Sequence, residues 1–213
     1  MYRLPQLLLE VKRLVAEWQH GGAHLAVEAA RRCRCGHPFR HRHGSYIRFV
    51  LVGEQPLQIA IPRLYCPACK VTAAVLPSFM ARRSAYPSCL KQAAILAYLT
   101  GTAGYRWAAA RFRVSWELLW AWVDRLTYRA KETLAFVEAL LLRYEPSSEP
   151  IRPAPRAGRA RSAEKDERLA AAVVLFAQAL RLWDTGYRQG QTWGRPSRMH
   201  LLAFVESCAS MLA

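Results

Sequence analysis

The sequence predicts a mainly α-helical chain interrupted once by a small β unit set between two cysteine pairs. Three observations carry that expectation. Apolar residues recur at three- and four-residue steps near both ends of the chain and through its middle. After Cys33 the period changes to the alternation of a β-strand, in stretches rich in β-branched and aromatic residues. Four of the six cysteines flank that stretch as close pairs, Cys33/Cys35 and Cys66/Cys69.

Five segments follow in order. Residues 1–32 form an N-terminal helical segment, in which Leu4, Leu7, Leu8, Val11, Leu14, Val15 and Trp18 make one helical stripe. His20-Gly21-Gly22 ends that helix, and residues 23–31 read as a second, shorter one. Residues 33–80 hold the β unit. Its strands are expected at 45–52 and 57–64, where Leu57, Ile59 and Ile61 alternate with Gln58 and Ala60 around a turn at Gly53-Glu54-Gln55-Pro56. Residues 81–144 are helical, broken near 101–104 and 113–115. Residues 145–163 carry four prolines and no apolar period, so they form a linker. Residues 164–213 read as a C-terminal helical hairpin. Its first helix is capped by Ser162, with Glu164, Asp166 and Glu167 at the positive end of the dipole, and its second spans about 197–212. No internal repeat is evident.

The 213 residues are 53% hydrophobic and 22% charged, a globular composition that excludes disorder throughout. The longest apolar run, residues 169–177, falls short of the roughly 18–20 residues of a membrane span. Glu10 and Lys12 lie where a signal peptide needs an apolar core. A soluble cytoplasmic protein with no membrane partner is the expectation. The net charge of +16 and the pI near 10.2 favour a polyanionic partner, nucleic acid first and an anionic membrane surface second.

A pair of cysteines on a tight turn aims two sulfurs at one point, and a hairpin between two such turns brings four together. That is the layout of a zinc ribbon, with Cys33, Cys35, Cys66 and Cys69 as ligands of a structural Zn²⁺. The small β unit has little core, so the metal would contribute much of its folding energy. Cys33-Arg34-Cys35 has one spacer where two are usual, and His37 is the candidate to replace one thiolate. Cys89 and Cys208 stand alone in helical text and read as buried, inert thiols.

The stretch from Cys35-Gly36 through His43-Gly44, Tyr46, Arg48, Ile61, Arg63, Cys66, Cys69 and Thr72 to Leu76-Pro77-Ser78-Phe79 resembles the zinc-ribbon segment of bacterial transposase-like proteins, the DUF6431 group in particular. The likeness spans about a quarter of the chain. It departs at the first cysteine, which that pattern places where this chain has Arg32. Either Cys33 reaches the metal from a different turn or a nearby histidine substitutes. The resemblance implies a mobile-element setting and DNA as partner; it does not imply catalysis.

Residues 104–128 read as a helix–turn–helix. Small Ala109 lets the helices cross closely, Trp107, Phe112, Val114 and Trp122 fill the core, and Ser115 caps a second helix whose buried stripe is Leu119, Trp122, Val123 and Leu126. The segment is similar to the helix-turn-helix common in transposases and their regulators, with Arg113 where that pattern often has Gly. Six Lys/Arg against Glu117 and Asp124 make residues 102–131 basic. The expected double-stranded DNA contacts are Arg106, Arg111, Arg113, Ser115, Trp116, Glu117, Trp120 and Arg125, with Arg48 and Arg63 from the ribbon. Arg152, Arg156, Arg159 and Arg161 make the linker a basic arm. Leu169, Val173, Phe176, Leu180 and Trp183 form a stripe that suits either a homo-oligomer or packing against the 197–212 helix.

No carboxylate triad on a strand-rich fold, Walker loop, nucleophile elbow or HExxH motif is present, so no enzyme is expected. The expectation is a nucleoid-associated DNA-binding protein of a mobile element, accessory to or split from a separate transposase subunit. A transcriptional regulator and a protein-interaction module with unspecific nucleic-acid affinity are the alternatives.

Overall fold

The computed structural model describes residues 4–30, 32–39, 41–53, 55–101, 104–147, 149, 151, 163–188, 201, 202 and 205. The chain divides into two compact units at Leu90/Lys91, so the five segments gather into two bodies. The N-terminal helices join the β unit, and the helix–turn–helix joins the C-terminal helix. The linker arginines, Ser162, Cys208 and most of residues 197–212 lie outside the described residues.

In the first unit, α1 (Leu4–Glu17) buries Leu7, Val11 and Val15. A π-helical turn at Trp18–Gly22 follows, with Gly21 at φ 142, a conformation side-chain-bearing residues rarely adopt, and α2 (Ala23–Ala29) continues after this kink. A three-stranded antiparallel sheet is ordered β1 (His41–Val52), β2 (Gln55–Cys66), β3 (Val71–Ala74). The β1–β2 register pairs Val52 with Gln55, so the strands run closer to the turn than the alternation alone indicates. Val50, Val52, Ile59 and Ile61 are buried within the unit that α1 covers, at about 1.5–3 kcal/mol for each large aliphatic removed from water.

Sheet edges left open invite unwanted pairing, and both edges of this hairpin are occupied. Trp18 Nε1 donates to Ala60 O (2.9 Å) and Gln19 Nε2 to Gln58 O (3.1 Å), covering β2 beyond the end of β3. Leu51 N–H on β1 donates to Ala85 O (2.8 Å). The stripe residue Trp18 therefore supplies a polar anchor as well as apolar area.

In the second unit, α3 (Ser88–Thr100) begins before the division and is buried on nearly every side. It is followed by α4 (Tyr105–Phe112), α5 (Trp116–Tyr128), α6 (Ala130–Tyr144) and α7 (Ala163–Arg188). The turn between α4 and α5 is a Schellman motif. Arg113 takes the left-handed conformation (φ 53, ψ 45), its N–H donates to Ala110 O, and Val114 N–H donates to Ala109 O. Ser115 then caps α5, its Oγ accepting from Leu118 N–H at 3.2 Å. Arg113 thus occupies the position where glycine is common. Denaturant midpoints should show Arg113→Gly raising stability by up to about 1 kcal/mol, and Ser115→Ala lowering it by about 1 kcal/mol.

The helix core holds Ala108, Ala109, Phe112, Leu119, Val123, Val137 and Leu141. Trp107 departs from the sequence expectation. It is 50% exposed rather than core, with the Arg111 guanidinium 5.4 Å from its ring centroid. Trp122 is half-buried beneath the Lys91 ammonium. Among the described elements the main partner of α7 is α6, and from Leu169 to Gly186 most of the helix is buried. Lys131–Glu167 (2.5 Å) and Arg181–Glu145 (3.2 Å) join the pair at their ends. The segment Ala163–Gly186 is long and apolar enough to cross a membrane by length and composition, which the apolar run alone did not indicate; 67% of its apolar window is buried inside the protein.

Candidate metal centre

The two cysteine turns are built differently. In the first, Arg32 pairs with Pro38, Cys33 N–H donates to His37 O (2.8 Å), and Gly36 N–H donates back to Cys33 O (2.9 Å). Gly36 sits at φ 85, so the chain reverses within one spacer residue of Cys33 because a residue without Cβ follows Cys35. In the second, Cys66 ends β2 and pairs with Val71, the first residue of β3. Pro67, Ala68, Cys69 and Lys70 form the loop between them, with Lys70 in the left-handed region (φ 55). The fixed β1–β2 register then carries the first turn to the second.

The four sulfurs all lie within 4.8 Å of one another. Cys33 Sγ is 3.6 Å from Cys69 Sγ, and Cys35 Sγ is 3.5 Å from Cys66 Sγ, so each close pair takes one sulfur from each turn. These are free thiols, not disulfides. A tetrahedron with Zn–S bonds of ~2.3 Å has edges of about 3.8 Å, which matches this spacing. The cluster can hold a metal ion. His37 is exposed and outside the group; it contributes its backbone, with its N–H directed at Cys35 and its C=O accepting from Cys33.

Electrostatics reinforce the point. The backbone N–H of Cys69 is the main influence holding the Cys66 thiol down at about 6, despite the cost of removing it from water. Cys69 is pushed up to about 12, chiefly by hydrogen bonding with the Cys66 and Cys33 sulfurs. At Cys35 the His37 N–H favours the thiolate, but Cys66, burial and Cys33 together leave its pKa raised. The Cys66 thiolate is readily formed here, and those of Cys35 and Cys69 are disfavoured until a cation compensates them. An ion bound by all four side chains has no vacant position for water or substrate, the arrangement of a structural site. Cys89, by contrast, is buried and its thiol is raised to about 12 by that burial, in keeping with an inert group.

The other candidate residues fall in two places. On α4, the turn and α5, Arg106, Arg113, Ser115, Trp116, Glu117, Trp120 and Arg125 are exposed, and Arg111 is half-buried against Trp107. Trp116 and Trp120 are 44% and 43% exposed, one helical turn apart. In the ribbon, Arg63 is half-buried. Arg48 is engaged internally, its Nη2 donating to Ala81 O (3.0 Å) and Ser84 O (2.7 Å). The sequence reading missed β3 and this arginine clamp. The only local signal for β3 was Val71-Thr72 following the second cysteine pair. No family model matches the chain, and no curated protein or solved structure matches it.

Proposed function

We propose that this chain is a DNA-binding protein in which a structural zinc ion organises the ribbon and the α4–turn–α5 unit contacts the double helix. The four-sulfur cluster is the observation that carries the zinc assignment. A closed set of thiolates at tetrahedral spacing suits Zn²⁺ better than the hard cations that prefer oxygen. The DNA assignment is supported by the Schellman turn, the Ser115 cap and the exposed early residues of α5. The early turns of such a helix are the part that enters a major groove. The net charge of +16 supplies the attraction to phosphate.

The resemblance of the ribbon to transposase-like proteins makes a mobile-element protein without its own catalytic domain the reading we favour. It would work on the bacterial nucleoid with a separate transposase subunit. The exposed indoles and the acids Glu117 and Asp124 on α5 favour a second reading, a protein-docking helix with only unspecific nucleic-acid affinity. Selection from random duplexes with the zinc-loaded full chain separates the two. Enrichment of a common site is expected. Binding that is equal for all sequences and vanishes at moderate salt would leave the docking reading standing.

A further inference from the structure

Between β3 and α3 the chain folds back along the outer edge of β1. Arg48 holds the Ala81 and Ser84 carbonyls, and Leu51 N–H holds the carbonyl of Ala85. Met80 pairs with Pro87, and Ser88 N–H donates to Phe79 O at 2.8 Å, so the loop is closed at its base, where Phe79 and Met80 are buried. Its tip is a four-residue turn, 81–84, with Ser84 N–H directed at Ala81 O (3.4 Å). The two corner residues are Arg82 and Arg83, both exposed and neither ion-paired among the described residues. Arg83 has φ 56. Glycine or asparagine is usual at the second corner of such a turn. A larger residue persists there only where its surroundings over-determine the backbone, and the clamps from β1 do so.

We propose that this turn is a phosphate-contacting element, with Arg82 and Arg83 engaging the sugar–phosphate backbone of duplex DNA and Arg48 acting as the positioning residue that holds them. The proposal rests on the DNA-binding reading above. Guanidinium groups match phosphate oxygens in a bidentate fork, and a loop already fixed loses little freedom on binding. A lipid surface fits less well, because Ala81 and Ser84, which flank the arginines, offer nothing large and apolar to insert.

The test uses the zinc-loaded full chain and a mixed-sequence duplex titrated at several salt concentrations. Combining Arg82→Ser with Arg83→Gly removes both charges, and glycine suits φ 56, so the melting midpoint should not fall. The log–log salt slope should flatten by roughly 1.8 units, about 0.9 for each phosphate no longer neutralised. Arg48→Gln should weaken binding in the parent chain but add nothing in the double variant. A merely structural arginine would lower the melting midpoint without this coupling, and one touching phosphate itself would flatten the slope further in both backgrounds. An unchanged slope in the double variant overturns this proposal alone. A parent chain that binds no duplex at low salt overturns the DNA-binding reading with it. Weakened binding to phosphatidylserine vesicles with duplex binding intact would make the turn a membrane contact instead.

Discussion

Protein purified without added metal is expected to carry one zinc ion per chain, and stripping that ion should unfold the ribbon. A structural zinc site is worth about 10–16 kcal/mol of apparent binding energy in small peptides, against about 5–15 kcal/mol for the whole stability of a typical domain. The hairpin has one packed face, and its first cysteine turn is held, among the described residues, by a short bridge and two backbone–backbone hydrogen bonds. Removing the ion would leave four crowded sulfurs and little else to close that end. Hydrogen exchange on the full chain, with and without a strong chelator, reads the effect residue by residue. Amides of β1–β3 should lose protection, while those of α6 and α7, which pack on each other in the other unit, should keep theirs. Elemental analysis should give zero metal for Cys66→Ser, because Cys66 is the buried ligand and the one most readily ionised. A metal-free chain with a fully protected sheet would sink the assignment. If Cys33→Ser keeps its zinc while His37→Ala releases it, the ligand set is three cysteines and a histidine.

The ease of reading the sequence depended on how local each cause was. The α1 stripe, the Gly21 kink, the β1–β2 alternation and the Ser115 cap arise from residues within a few positions of one another, and the structure places each where those residues point. The spacing of the four cysteines was equally direct, because a metal demands ligand geometry whatever the chain does between. Other features have distant causes. β3 has four residues, two of them alanine, and becomes a strand because Arg63–Cys66 offer it an edge. Trp18 reaches Ala60 across 42 positions. Arg48 belongs to a basic ribbon in sequence, yet backbone carbonyls 33 and 36 residues away engage it. Trp107 has the size and apolarity of a core residue, but it stands beside Arg111 on an exposed helix face. Burial of α3 on nearly every side likewise comes from what surrounds it, not from a periodic stripe.

Substitutions on α4, the turn and α5 are expected to separate affinity from sequence preference. Arg106 and Arg113 are both exposed, one on α4 and one in the turn that follows it. If they touch phosphate, Arg106→Ala with Arg113→Gly should weaken binding to every duplex alike and flatten the log–log salt slope by roughly one unit per phosphate. Glycine is the right replacement at 113 because the backbone there is already left-handed, so weakened binding cannot be blamed on a damaged fold. Arg111 is a poorer probe, since its guanidinium lies against Trp107 and its removal also changes packing. Glu117 and Trp120 should behave differently. A carboxylate repels phosphate but accepts a hydrogen bond from cytosine N4, and an exposed apolar ring can press on a thymine methyl group. Glu117→Ala and Trp120→Ala should therefore change which sites are enriched, at a cost of about 1–3 kcal/mol for each base interaction removed, while the salt slope stays nearly constant. Site selection with each variant and titration at several salt concentrations measure both quantities. Should Glu117→Ala instead strengthen binding to all duplexes equally, that carboxylate faces phosphate rather than bases. Should both variants enrich the parent site at parent affinity, α5 does not read DNA, and its paired indoles belong to a protein interface.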